Sequence, residues 1–163
     1  MTIRSMTKGD WSKIAEIYKE GILTGFATFE TTVPTFADWD SAHMNSCRLV
    51  ATDENQKVVG WAALSPVSSR CVYGGVAEVS VYVAKNSRGK SIGKLLMQQL
   101  ISESEKEGLW TLQSGIFPEN EGSILLHKKM GFRYIGKRER VGKLHGEWKD
   151  NLLFERRSKI IGV

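Results

Sequence analysis

Cysteine is scarce in this chain, and long apolar runs are absent from it. Its two cysteines, Cys47 and Cys71, lie far apart, fit no metal-ligand spacing and are too few for a disulfide framework. The opening residues, MTIRSMTKGD, lack the apolar core of a signal peptide. No run approaches the roughly 18 apolar residues that a membrane helix needs. We therefore expect a cytoplasmic protein with no metal cofactor and no membrane partner.

The composition is typical of a globular chain with a moderate positive charge. Hydrophobic residues make up 41% of the 163 positions and charged residues 25%, which predicts one domain spanning residues 1–163. The formal net charge of +5 favours anionic ligands without selecting among them. Because no zinc-finger spacing and no aromatic RNA-binding motif occurs, we do not expect a nucleic-acid partner.

Hydrophobic periodicity predicts alternating strands and helices. The pattern Thr7 to Asp10 is a helix start, and the helix should end near residues 21–25. Further helices are predicted over residues 35–45, 92–107 and 120–130. This alternation favours a mixed α/β sheet of the α+β kind, covered by helices. Strands are predicted over residues 2–6, 48–52, 58–64, 76–84, 111–116, 132–140 and 152–157.

The stretch AKNSRGKSIGK, residues 84–94, joins a predicted strand to a predicted helix and admits three interpretations. As AxxxxGKS it nearly matches a nucleotide P-loop, but Ala84 replaces the first glycine and no later strand ends in a carboxylate for Mg²⁺. As RxxSxG it nearly matches an acyl-CoA loop. The third interpretation is a solvated basic connection. A loop that enters a helix offers free N–H groups to any phosphate, so anion binding alone does not decide.

Longer motifs decide in favour of the acyl-CoA interpretation. EVSVYVAKNSRGKSIGKLLMQQLI followed by PENEGSILLHKKMGF resembles the GNAT acetyltransferase superfamily. IYKEGILTGFATFET and VGKLHGEW further resemble its phosphinothricin and methionine sulfoximine N-acetyltransferase branch. The resemblance extends from Ile3 to Phe154. It implies a mostly antiparallel central sheet splayed at the cofactor site, acetyl-CoA as co-substrate, and a homodimer.

The resemblance also implies an activity. The acceptor would be the amine of a small amino-acid-like molecule, such as phosphinothricin, methionine sulfoximine or methionine sulfone. Two alternatives stay open, namely an acetyltransferase for protein or peptide amines and a relative that binds acyl-CoA without turnover.

By the same resemblance, a set of residues is expected to bind the cofactor. Where the family motif has glycine at the fourth position of RxxGxG, this chain has Ser91. Since its backbone N–H is retained, we expect binding to persist unless the position requires a positive φ. The expected cofactor residues are the strand backbone of Val81, Tyr82 and Val83, the loop residues Arg88, Gly89, Lys90, Ser91, Ile92, Gly93 and Lys94, and Asn120 on the far side.

Glu78 is the expected general base. Because strand side chains alternate, Glu78, Ser80 and Tyr82 share one face, while three valines on the other face suit a core. Attack on a thioester needs a neutral amine, so a group must remove a proton from an ammonium. A partly buried carboxylate would have a raised pKa suited to that task, whereas an exposed ion-paired carboxylate is the alternative.

The substrate side is expected to contain five residues. Arg70 could bind an α-carboxylate with its guanidinium fork, and Phe29 and Glu30 could form a wall and an amine contact. Val79 and Ser80 would flank the acceptor. His127 is a candidate general acid, although packing is the more common role of a lone histidine. Lys143 and Trp148 resemble the branch and could serve packing or a dimer contact.

Overall fold

Seven strands form one sheet, and helices cover both of its faces. The computed structural model describes every residue from Met1 to Val163. The elements are β1 (Thr2–Ser5), α1 (Trp11–Leu23), α2 (Phe36–Ala42), β2 (Leu49–Thr52), β3 (Val58–Pro66), β4 (Val76–Val83), α3 (Ile92–Lys106), β5 (Thr111–Ile116), α4 (Glu121–Lys129), β6 (Arg133–Leu144) and β7 (Glu147–Arg157).

The strand order in the sheet is β1-β2-β3-β4-β5-β7-β6. All neighbouring strands are antiparallel except β4 and β5, which are parallel. This arrangement confirms the expected mixed α/β fold with a mostly antiparallel sheet. None of the helices combines the length and the apolar character that a membrane crossing requires.

Strands β4 and β5 pair only at their beginnings. Their register joins Val76 to Thr111 and ends where Glu78 meets Gln113. On its other side, β4 pairs with β3 as far as Val83. The sheet therefore opens after Glu78, as the expected splayed geometry requires, and one edge of β4 is left without a strand partner.

Two hydrophobic clusters pack the helices against the two faces of this sheet. The residues Leu96, Met97 and Leu100 of α3 are each 0% exposed and pack with the valine face of β4. On the opposite face, α1 and α2 pack on β2 and β3 through an aromatic cluster that includes Trp39 and Trp61. From α1, Ile14, Ile17 and Tyr18 are buried in this second cluster, and both clusters meet at β4.

The β6–β7 hairpin is longer than the predicted strands. It closes at His145 and Gly146, beyond the predicted end at residue 140. Its register shifts between Arg138, which faces Asn151, and Gly142, which faces Lys149. We call the segment 138–142 the bulge. It lies beside the opening between β4 and β5.

Candidate active site

A cleft of about 940 Å³ occupies the opening between β4 and β5. This volume lies at the upper end of the roughly 300 to 1,000 Å³ typical of small-molecule and cofactor sites. Several parts of the chain line it. Five of them are β4, the start of α3, the β5–α4 connection, the loop of residues 24–30, and the bulge.

The open edge of β4 presents backbone groups to this cleft. The amide of Ala84 donates to the carbonyl of Val59 at 2.8 Å, so Ala84 belongs to the set of residues bonded to β3. The N–H and C=O groups of successive strand residues point to opposite edges. Those of Tyr82 therefore also bond to β3, whereas those of Val81 and Val83 point to the opening. The edge can therefore pair with an extended, amide-bearing ligand through Val81 and Val83. The expected contact of the Tyr82 backbone with the cofactor stays a prediction, and the alternation leaves less of that backbone free for it than of Val81 and Val83.

The loop of residues 84–94 ends at the start of α3. The amide of Leu95 donates to the Ser91 carbonyl at 3.1 Å, and the amides of Ile92, Gly93 and Lys94 precede the first intrahelical bond. A side chain at Gly93 would meet the Leu126 side chain at 3.3 Å. Gly93 thus lets α3 and Leu126 of α4 approach closely. The free amides of the α3 start can bind an anion, and the exposed cations Arg88, Lys90 and Lys94 lie in the same segment. Together with the free edge of β4, these residues fit a long ligand with a diphosphate and an amide-bearing arm.

Ser91 adopts the left-handed conformation, with φ 62° and ψ 16°. This region favours glycine because a Cβ atom crowds the following carbonyl. A positive φ at position 91 was the one exception to the expectation that cofactor binding persists with serine there. The position does require a positive φ, and Ser91 adopts it. The serine keeps the loop shape at a cost in conformational energy.

Asn120 caps the helix on the far side of the cleft. Its Oδ1 accepts a hydrogen bond from the backbone N–H of Ser123 at 3.2 Å. The carboxamide is thus held in place by its oxygen, and its NH₂ group is left to donate. Asn120 lines the cleft opposite the loop of residues 84–94, where the sequence placed it.

Glu78 lies at the point where the sheet begins to open. Its side chain lines the cleft and is exposed, so the partial burial expected for this carboxylate is not observed. Ser80 lines the cleft on the same face, one alternation further along β4. Val79 also lines the cleft, but its side chain packs in the core on the opposite face and is 7% exposed, so its expected contact with the acceptor stays a prediction that only its backbone could meet.

The hydroxyl of Tyr82 marks the acidic end of the cleft. Its ring stacks on Tyr18 at 5.0 Å and on Trp61 at 4.9 Å. Burial raises the pKa of Tyr82 above its ordinary value, and the negative charges of Glu30 and Glu78 contribute to the same shift. Both carboxylates therefore act on one region, which we call the acceptor end. An ammonium group would be stabilised there.

Phe29 holds the loop of residues 24–30 against the rest of the cleft. Its ring meets Phe117 edge-on, with centroids 4.7 Å apart. A Cβ atom at Gly142 would lie 3.0 Å from the same ring, so the bulge approaches Phe29 closely because it has glycine there. Phe29 forms the expected wall of the cleft, and Glu30 follows it at the acceptor end.

Arg70 is not among the residues that line the cleft. It is exposed in the connection between β3 and β4, and its guanidinium lies over the Tyr73 ring at 5.6 Å. In this arrangement Arg70 stacks locally on Tyr73 and does not line the cleft, so its expected contact with a carboxylate stays a prediction.

His127 lies in the wall of the cleft and is 4% exposed. Its Nδ1 lies 2.7 Å from the Ser123 carbonyl, to which only a protonated nitrogen can donate. Nε2 is buried and has no hydrogen-bond partner. Burial lowers the pKa of the imidazole, so the neutral form with its proton on Nδ1 is favoured and Nε2 is an acceptor. This geometry counts against donation of a proton from Nε2.

The structure adds two residues that the sequence did not indicate. Arg138, at the start of the bulge, lines the cleft, as does His43 after α2. The sequence shows Arg138 inside the charged run KRER, which is typical of a solvated strand. Only the pairing of β6 with β7, which sets Arg138 opposite the cleft residue Asn151, shows that it faces the cleft. No group of three His, Cys, Asp or Glu side chains is placed to hold a metal ion.

Comparison with known proteins identifies the family of this site. The sequence model of the acetyltransferase (GNAT) family matches residues 11–132. The phosphinothricin N-acetyltransferase of Streptomyces coelicolor is 32% identical over 161 residues, covering 94% of each chain. The L-methionine sulfoximine/L-methionine sulfone acetyltransferase of Salmonella typhimurium is 32% identical over 154 residues, covering 92% of this chain and 90% of that protein.

Solved structures agree with these sequence relatives. The crystal structure of a GNAT superfamily phosphinothricin acetyltransferase from Sinorhizobium meliloti in complex with acetyl-CoA superimposes with a TM-score of 0.86. It is 29% identical and covers 99% of this chain and 95% of its own. The resemblance inferred from the motifs is thereby confirmed. This chain belongs to the acetyltransferase (GNAT) family.

Proposed function

We propose that this acetyl-CoA-dependent N-acetyltransferase acetylates the α-amine of a small amino-acid-like acceptor and that Glu78 is its general base. The observation that carries the proposal is the joining of two sites in one cleft. The free β4 edge and bare α3 start fit the cofactor, and the carboxylates of Glu30 and Glu78 lie at the acceptor end. Phosphinothricin, methionine sulfoximine and methionine sulfone are the acceptor types we propose, in line with the relatives.

The proposed roles of the cofactor residues follow from their backbone geometry. Val83 offers its free N–H and C=O groups, and Val81 its C=O group, to the amide-bearing arm, as an added strand would. The amides of Ile92 to Lys94 and the cations around them bind the diphosphate. Acetyl-CoA, when bound, supplies an acetyl thioester as the electrophile. Holding both reactants in one cleft lowers the entropic barrier, by roughly 7 kcal/mol or more in favourable cases.

Glu78 performs the proton transfer in this proposal. Its carboxylate accepts a proton from the acceptor ammonium, directly or through one water, so the nitrogen lone pair becomes available. Glu30 holds the positive charge of the amine before that step. As negative charge develops on the carbonyl oxygen, the free amide of Val81 can donate a hydrogen bond to it. The Phe29 contacts bring the loop of residues 24–30 against the β5–α4 connection and the bulge. These segments together exclude water from the acceptor end.

A role for His127 as proton donor to the departing thiolate is less well supported. With its proton on Nδ1, the imidazole can only accept a hydrogen bond at Nε2. We propose that His127 fixes the wall between α4 and the sheet, where its ring meets Phe132 edge-on at 4.9 Å. The thiolate then takes its proton from water.

Free amino acids are favoured over protein amines by the shape of the acceptor end. Phe29 contacts Phe117 and closely approaches Gly142 across one side of it, which restricts passage of a peptide chain. A groove open at both ends would favour a peptide. We also propose that the chain is a homodimer, with the exposed Trp148 beneath Lys143 as a candidate contact, which sedimentation analysis would test.

The proposed function is tested by acetylation assays with a panel of amines. Thiol release from acetyl-CoA and the mass of the N-acetyl product are followed with the three proposed acceptors and with a peptide carrying a free amino terminus. We expect product with at least one free amino acid and little with the peptide. Product with the peptide alone would replace the proposal with protein acetylation. A rise in melting temperature with acetyl-CoA but no turnover on any amine would indicate a non-catalytic binder.

A further inference from the structure

We propose that Arg138 binds the carboxylate of the acceptor and thereby selects amino acids over simple amines. This inference rests on the proposed function and names the residue that sets its specificity. Arg138 lines the same cleft as Glu30 and Glu78. Apart from Arg88 beside the start of α3, it is the only arginine or lysine that lines it.

The guanidinium of Arg138 forms no ion pair within the chain. Nearby charges of the hairpin are paired with each other. Arg133 meets Glu155 at 3.1 Å, and Lys137 meets Asp150 at 3.9 Å. Arg138 has no such partner, and its fork is free to bind both oxygens of a carboxylate.

Pairing with Asn151, which also lines the cleft, places Arg138 on the cleft side of β6, and the bulge that follows brings Val141 to the same side. In a regular strand, Arg138 and Val141 would point to opposite faces, yet both line the cleft. The register shift inserts the extra residues between them, and Arg140 takes a φ of 43° there. The Arg140 amide donates to Asp150 Oδ1 at 2.8 Å, which ties the bulge to β7. Bulges of this kind commonly re-aim side chains beside active sites.

The charges of the cleft then match a zwitterion. Two carboxylates act on the region of the Tyr82 hydroxyl at the acceptor end. The guanidinium of Arg138 lies on the side of the cleft that β6 forms. An α-amino acid carries an ammonium and a carboxylate, so it satisfies both regions, whereas a simple amine leaves Arg138 without a partner. Arg70, stacked on Tyr73 outside the cleft, cannot serve this purpose in the same arrangement.

The test compares an acid with its amide. Methionine sulfone and methionine sulfone carboxamide differ only in the carboxylate, and kcat/KM is measured for both with wild type, Arg138→Gln, Arg138→Lys and Arg140→Gln. We expect Arg138→Gln to lower kcat/KM for the acid by about 10- to 100-fold through KM, as loss of a charge-assisted pair does, and to leave the amide unchanged. Arg138→Lys should recover part of the loss. Arg140→Gln is the matched control and should retain the wild-type preference for the acid.

Several outcomes would overturn the inference while leaving the proposed function intact. Equal losses for acid and amide would make Arg138 structural. An unchanged acid preference in Arg138→Gln would remove it from carboxylate binding, and loss of that preference in Arg70→Gln would transfer the role to Arg70. If wild type acetylates neither compound nor any other free amino acid, the proposed function itself fails. Circular dichroism melts confirm that each variant is folded.

Discussion

Replacing Ser91 with glycine should stabilise the protein, because Ser91 is held in a left-handed conformation at the start of α3. For a residue with a side chain this conformation costs roughly 1–2 kcal/mol. Glycine removes that cost but loses more backbone entropy on folding, by roughly 0.5–1 kcal/mol. The net stabilisation should be about 0.5–1 kcal/mol. For a chain of this size, that raises Tm by about 1–4 °C.

The same substitution should act on the cofactor. The Ser91 side chain is exposed on the loop that we propose to approach the diphosphate, next to the free amides of α3. Removing it should tighten acetyl-CoA binding or leave it unchanged. Differential scanning calorimetry measures Tm, and isothermal titration calorimetry measures the Kd of acetyl-CoA.

Two control variants separate conformation from chemistry. Ser91→Ala removes the hydroxyl but keeps the Cβ atom, so it should not raise Tm. Ser87→Gly lies in the same loop at a residue without positive φ, and it should lower Tm. The reasoning is refuted if Ser91→Gly lowers Tm, or if Ser91→Ala stabilises as much as Ser91→Gly does.

Three further predictions address other parts of the chain. Arg4 pairs with Asp10 at 2.8 Å and, together with hydrogen bonds from Thr7, lowers the pKa of that carboxyl to about 2. Because Arg4 is partly exposed, the pair should stabilise the fold by about 1 kcal/mol above pH 4 and lose that contribution as pH falls through 2. Urea unfolding of wild type and Arg4→Met at pH 7 and pH 2.5 measures this contribution to the free energy of unfolding. Equal destabilisation by Arg4→Met at both pH values would contradict the prediction. Gly142→Ala places a Cβ atom 3.0 Å from the Phe29 ring, which should cost about 1–3 kcal/mol and raise the acceptor KM, both partly restored by Phe29→Leu. His127→Leu should keep kcat within about threefold, and a loss of about 100-fold or more would make His127 the proton donor.

The central part of the fold follows from the sequence, because its signals are local. The valine alternation of β4, the loop of residues 84–94 and the amphipathic α3 lie next to each other in the chain. Each is defined by periodicity or by a helix start, so strand, loop and helix were predicted nearly to the residue. The opening of the sheet after Glu78 came from the family resemblance, since the pairing of β4 with β5 joins distant segments.

The hairpin and the acceptor side could not be predicted in the same way. Residues 137–149 are mostly charged or glycine and lack an apolar period, so the pairing of β6 with β7 is visible only in the fold. The position of Arg138 in the cleft depends on that pairing, which sets it opposite Asn151. Arg70 had the right chemistry for a carboxylate, but side-chain type does not determine the direction of its connection. The left-handed conformation of Ser91 was likewise set by the turn and not by the residue.

The central claim is that Glu78 removes a proton from the acceptor amine beside the open edge of β4. The most direct measurement is the kcat of Glu78→Gln, with the Kd of acetyl-CoA measured on the same preparation. The account predicts that kcat falls by about 100-fold or more while the Kd stays within about twofold of wild type. An unchanged kcat at saturating acceptor would contradict it.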